Sequence, residues 1–129
     1  MTTLFVIGRI IFGLYFIYNA INHFSHVGSM AAYAKSKGVP AASLAIVVTG
    51  LLLFFGGASI LFGIFPLIGI ILLLIFLIPV SFTMHNFWAI EEPMEKMTQT
   101  INFMKNMALI GALLMFFMIA HPWPVCIVF

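Results

Sequence analysis

The sequence predicts an all-α integral membrane protein, an antiparallel four-helix transmembrane bundle with a short interfacial helix between the first and second spans. Three observations predict it. Of 129 residues, 64% are hydrophobic and 6% are charged, where a soluble domain carries roughly a quarter charged residues. A chain this short could hide only part of that apolar surface from water, so the bilayer is its natural solvent. The apolar residues also fall into four long runs, each near the roughly 20 residues that a helix needs to cross about 30 Å of hydrocarbon. Runs such as IILLLIFLIPV lack the alternation of a β-barrel strand, and lipid cannot satisfy the backbone of an open strand. Residues 1–129 read as one domain.

The first span runs from about Leu4 to Ile21. Arg9 followed by IIFGLYFIYNA has a faint look of a secretion signal, but the apolar run begins before the arginine and no small-x-small cleavage site follows, so it reads as a retained span. Arg9 lies inside this span. It is expected to snorkel toward the terminus, to pair with helix C-terminal carbonyls, or to meet an anionic lipid headgroup. The connection HFSHVGSMAAYAKSKGVPAA follows. Ser29 to Lys37 is expected to form the interfacial helix, with Gly38 as its C-cap and Pro40 beyond.

The second span covers about Ser43 to Ile64 and the third Pro66 to about Met84. Little more than Phe65 joins them, which forces a tight antiparallel hairpin, and Pro66 suits a helix start. Pro79 lies inside the third span, where it frees a carbonyl near Ile75. The fourth span covers about Gln99 to Ala120, ended by His121, Pro122 and Pro124. Small residues mark close helix packing: Gly8 and Gly13 in the first span; Thr49, Gly50, Gly56, Gly57 and Gly63 in the second; Ala108, Gly111 and Ala112 in the fourth.

Charge excludes some functions. Five of the eight charged residues, Glu91, Glu92, Glu95, Lys96 and Lys105, fall between His85 and Asn106. No run of Lys or Arg suggests nucleic acid. A single cysteine, Cys126, rules out an intrachain disulfide and a CxxC dithiol. No phosphate loop, GxSxG or HExxH motif is present, and the four histidines have no metal-ligand spacing. Neither metal nor haem is expected. Lys35, Lys37 and Lys96 on the loop side, against Arg9 on the terminal side, place the loops in the cytoplasm.

Four antiparallel spans put the first and third connections on one side of the membrane, and the polar residues collect there. Tyr15, Asn19 and Asn22 form one stripe and Gln99, Asn102 and Asn106 another, with Lys105 beside it. Polar side chains in lipid face the bundle. A pocket is therefore expected between the first, third and fourth spans, with Asn19, Asn22, His23, His85, Asn86, Trp88, Asn102, Lys105 and Asn106 as candidate ligand-binding residues. The competing reading makes the amides glue between helices and the histidines and Trp88 interface anchors.

The sequence resembles the DoxX family of small four-span bacterial membrane proteins. Arg9 and Gly13 in GRIIFGLYFIYNAINHF match the family's arginine and glycine. The GVP turn at Gly38 to Pro40 precedes TGLLLFFGGASILFG, whose Gly50, Gly56, Gly57 and Gly63 match second-span glycines. HNFWAI and INFMKNMALIGALL match the family's FW and its F-x-K-N opening of the fourth span, so the likeness covers nearly the whole chain. It implies a multi-pass protein of the bacterial cytoplasmic membrane. Since the family includes a small subunit associated with thiosulfate:quinone oxidoreductase, it also implies a membrane redox accessory subunit. In that role His85 and Lys105 bond quinone oxygens, Asn102 and Asn106 support them, Trp88 stacks, and a partner subunit supplies electrons. Many relatives carry a glutamate where Leu53 stands and a lysine near Asn22 or His23, which puts proton or quinone chemistry here in doubt. The alternatives are a non-enzymatic assembly, lipid-binding or structural subunit, as a homo-oligomer or with partners, and a small transporter.

Overall fold

The computed structural model describes residues 1–127, so the last two positions of the expected domain lie outside the described residues. The order of elements is α1 (Thr2–Ser25), α2 (Val27–Ser36), α3 (Ala42–Phe62), α4 (Pro66–Thr83), a 3-10 turn (Phe87–Ala89) and α5 (Pro93–Phe116), with no strand among the described residues. Three stretches are long and apolar enough to cross a membrane: Thr2–Ser25, Ala42–Phe62 and Pro66–Ala89. The fourth expected run differs. α5 is as long as α1, 24 residues, but it carries Glu95, Lys96, Gln99, Asn102, Lys105 and Asn106, and it is not among the three.

Local signals explain the helix ends. α2 closes in a Schellman motif: Gly38 turns left-handed at φ 83°, and the Val39 and Gly38 N–H groups return to Ala34 and Lys35. The helix itself begins two residues before the expected Ser29. α3 ends the same way at Gly63, φ 69°. The Ser59 hydroxyl then reaches the Ile64 and Phe65 carbonyls at 2.5 and 3.0 Å, which fastens the turn into Pro66 at the first position of α4. α5 starts at Pro93, six residues before the apolar span expected from Gln99, because Glu92 caps it. Its carboxylate accepts from the Glu95 and Met94 N–H groups at 2.6 and 3.1 Å. Those two bonds, the Glu95 one foremost, hold the Glu92 carboxyl below the usual carboxylate range.

Glycines set the close crossings. A Cβ on Gly57 would stand 3.0 Å from the Gly13 carbonyl, and one on Gly13 would stand 2.9 Å from the Gly57 carbonyl. The neighbouring Gly56 serves α4 instead: a Cβ there would strike Leu73 at 2.6 Å, with the Gly69 carbonyl at 3.3 Å. One glycine pair thus lets α3 lie against α1 on one face and α4 on the next. Gly8 and Gly111 have nothing within 4 Å of such a Cβ, so they do not act as the expected packing residues. α5 packs on α4, while α1 and α5 nowhere approach within 8 Å between α-carbons. Aromatic rings bridge that seam, Phe12 to Phe116 at 5.0 Å.

The core runs through Phe16, Leu53, Ile60, Ile70, Leu73, Leu77 and Leu113, and it includes Trp123 from beyond the last helix. The expectation that the fourth helix reaches Ala120 is corrected here. Regular helix stops at Phe116, and the Met118 and Ile119 N–H groups bond back only three residues. This tight turn returns the chain so that Trp123 enters the core. Arg9 holds the returning tail. It is 7% exposed and donates to the Pro124 carbonyl at 2.7 Å and the Val125 carbonyl at 2.5 Å. Among its expected fates, pairing with carbonyls is the one observed, but those carbonyls belong to the tail.

Candidate functional site: a cavity under the second helix

The helices enclose a cavity of about 710 Å³. Antiparallel packing makes it. His23, near the end of α1, meets the start of α3, and Phe82, near the end of α4, meets Phe103 of α5 at 5.5 Å. α2 then folds over this end of the bundle and packs on α3. The walls are apolar: Phe16, Leu53, Phe76 and Leu77 all face the cavity. The polar groups come from every helix: Tyr15, Asn19 and His23 of α1; Ser29, Tyr33 and Lys37 in and beside α2; Thr49 of α3; Thr83 and His85 at the end of α4; and Asn102, Lys105 and Asn106 of α5.

Several of these groups are already committed. The Asn19 amide donates to its own helix at the Tyr15 carbonyl, 2.8 Å. His23 Nδ1 lies 3.2 Å from the Ile46 carbonyl and 3.1 Å from the Thr49 hydroxyl. A carbonyl only accepts, so this nitrogen carries the proton and fastens α1 to α3. His85 Nδ1 lies 2.6 Å from Gln99 Oε1 and is the donor by the same argument. The Gln99 amide donates to the Tyr33 hydroxyl at 3.2 Å. Asn102 approaches the same Gln99 oxygen at 3.4 Å. Gln99 therefore links α2, α5 and the segment after α4.

Two groups remain open. Asn106 is 5% exposed, lines the cavity, and bonds its amide to no other described residue. Its polar atoms are not among those sealed from solvent, so they face the cavity. Lys105 extends over the Tyr15 ring at 5.9 Å and has no carboxylate partner among the described residues. It sits roughly 18 Å along α5 from Pro93, at about 1.5 Å per residue.

Of the nine candidate residues, Asn19, His23, His85, Asn102, Lys105 and Asn106 line this cavity, and Asn22, Asn86 and Trp88 do not. Asn22 lies off the stripe that Tyr15, Asn19 and His23 form at i, i+4, i+8. Asn86 accepts from the Lys37 ammonium at 3.2 Å just outside. Trp88 is 53% exposed and packs in an aromatic cluster with Phe82, Phe87 and Phe103, so it cannot stack on a ligand in the cavity. Tyr33 and Lys37 were not foreseen. Both line the cavity from the α2 side, and their i, i+4 spacing was the signal available. Leu53, where the resemblance leads one to look for a glutamate, is fully buried and lines the cavity. Among the described residues, no three His, Cys, Asp or Glu side chains gather as metal ligands.

In comparison with known proteins, the DoxX family model covers residues 4–86, more than half of the chain and the elements from α1 to α4. Phe87–Trp88 and the FMKN stretch of α5 lie beyond the matched residues. No curated protein and no solved structure matches the chain.

Proposed function

The chain belongs to the DoxX family, and on that premise we propose that it is a membrane protein that binds one amphiphilic small molecule in the cavity between its helices. The observation that carries this reading is the cavity's divided lining. Phe16, Leu53, Phe76 and Leu77 offer an apolar wall, and Asn102, Lys105 and Asn106 a polar patch within it. A volume of about 710 Å³ falls in the roughly 300–1,000 Å³ range of small-ligand sites. In this reading α5 is the fourth span, its polar face turned to the cavity and its Ile101, Met104 and Leu114 to lipid. α2 lies at the interface as a cover. The membrane is the bacterial cytoplasmic membrane.

A second reading makes the ligand a quinone and the protein an accessory subunit of a membrane redox complex. It is favoured by donors around one space: His85, Lys105, Asn102 and Asn106. Electrons would come from a partner subunit, for which the exposed connection with Glu91, Glu92 and Glu95 is a docking surface. The experiment that tests both is purification from native membranes into lipid nanodiscs, followed by identification of bound small molecules and associated proteins. A stoichiometric amphiphile supports the first reading. Quinone together with a redox partner supports the second. An empty cavity overturns both.

A further inference from the structure

The cavity has an unbalanced charge. Lys37 and Lys105 both line it, and no Asp or Glu does. Lys37 has partners: its ammonium reaches Asn86 Oδ1 at 3.2 Å and lies 5.7 Å from the Tyr33 ring centre. Lys105 is itself exposed on α5 and, among the described residues, meets the Tyr15 ring. A cation within a membrane bundle is costly unless something of opposite charge meets it. Beside it the Asn106 amide is 95% buried, and it has no partner among the described residues. An ammonium and a free amide N–H donor that both line one cavity fit an oxyanion.

The rest of the cavity fits a chain. Beside the polar patch stand Phe16, Leu53 and Leu77. The α1–α5 seam offers a path to them from the lipid. Backbones there stay more than 8 Å apart, and the side-chain bridges are Phe12 to Phe116 and Lys105 to Tyr15. A volume of about 710 Å³ is that of a site for one small ligand, which a single acyl chain with its headgroup matches.

We infer that the ligand is a single-chain amphiphile with an anionic oxyacid headgroup, a carboxylate or a phosphate monoester, bound by Lys105 and Asn106 with its chain against Phe16, Leu53 and Leu77. This rests on the cavity reading above and narrows it. It also gives Lys105 a function that does not involve electron transfer.

The test uses the full chain in phosphatidylcholine nanodiscs, with native mass spectrometry reading the bound species. The probes are palmitate, palmitoyl lysophosphatidate, hexadecanol and a short-chain ubiquinone. The expected result is at least tenfold tighter binding of palmitate or lysophosphatidate than of hexadecanol, and the ratio between the two anions identifies the headgroup. Lys105→Met should lose at least tenfold in anion binding and leave hexadecanol unchanged, and Lys105→Arg should retain the anion. Hexadecanol or ubiquinone bound as tightly as palmitate overturns the anionic assignment and leaves the cavity reading standing. Binding of none of the four overturns both. Should Lys105→Met fail to fold, the ratio of palmitate to hexadecanol on the unaltered protein decides the matter by itself.

Discussion

His85 and Gln99 meet at 2.6 Å across the junction between α4 and α5, ring nitrogen to amide oxygen. This pair joins the segment before α5 to the helix itself, and Gln99 passes the link on to Tyr33 of α2. The cover of the cavity and its wall are therefore tied through one amide. Gln99→Leu removes both bonds and leaves the His85 N–H and Tyr33 hydroxyl to find new partners. A buried donor left unsatisfied costs about 1–3 kcal/mol. The expected outcome is a lower thermal midpoint in detergent and faster proteolysis within residues 26–41, with the secondary structure content unchanged by circular dichroism. Gln99→Glu keeps an acceptor toward His85 and should lose less.

The sequence and the structure part company at identifiable places. The long apolar runs placed α1, α3 and α4 within a few residues, because a span's length is set by the bilayer, and Gly63 and Pro66 mark the end of α3 and the start of α4. The polar residues at helical spacing on α1 and α5 pointed to Asn19, Asn102, Lys105 and Asn106, all of which line the cavity. Asn22 failed because a stripe can be drawn along either side of Tyr15 and Asn19, and only packing against α3 selects His23. Trp88 failed because an interfacial tryptophan and a ligand-stacking one look alike in sequence. Tyr33 and Lys37 were missed because the turn at His26 decides where α2 lies, and that turn carries no proline or glycine. The return of Trp123 to the core was missed for a similar reason. The prolines near it announce only that a helix ends, not where the chain goes next.

Glycine substitutions should separate packing glycines from idle ones. Gly57→Val places methyls against the Gly13 carbonyl and Phe16, where a single Cβ is already at 3.0 Å. Such overpacking costs roughly 1–3 kcal/mol and more where backbone must move, so loss of the folded monodisperse protein is expected. Gly8→Ala and Gly111→Ala meet open space and should be neutral, or stabilising by up to about 1 kcal/mol through helix propensity. Thermal unfolding of the three variants in one detergent checks the contrast. Equal losses at all three positions would sink the assignment of the α1–α3 crossing to Gly13 and Gly57.

Arg9→Met should free the tail while leaving the cavity in place. It removes the donors to the Pro124 and Val125 carbonyls, bonds of the charged kind worth about 1.5–3 kcal/mol each. Cys126 gives the readout. It is partly buried and lies where a Cβ on Gly63 would touch its own at 2.9 Å. Maleimide labelling of Cys126 is expected to speed up by tenfold or more in Arg9→Met. Trp123 fluorescence should shift to the red as its ring leaves the core. Binding at the cavity, on the opposite end of α1, should change little.

The Glu92 cap makes the start of α5 sensitive to acid. Its carboxylate is held below the ordinary carboxylate range by the Glu95 and Met94 N–H groups, so the folded state prefers the ionised form. The sign follows from linkage: the cap contributes fully at pH values above the ordinary glutamate pKa, and that contribution fades as pH falls through the depressed value. Protonation removes the charge-assisted bonds and the favourable interaction with the helix N-terminus. Amide hydrogen exchange at Met94 and Glu95, corrected for intrinsic rates, should therefore lose protection in that acid window and hold constant from pH 6 to 8. Glu92→Gln retains an acceptor oxygen but cannot titrate, so its protection should be lower at neutral pH and flat across the acid window. A wild-type profile as flat as that of Glu92→Gln would show that the carboxylate does not hold the start of α5.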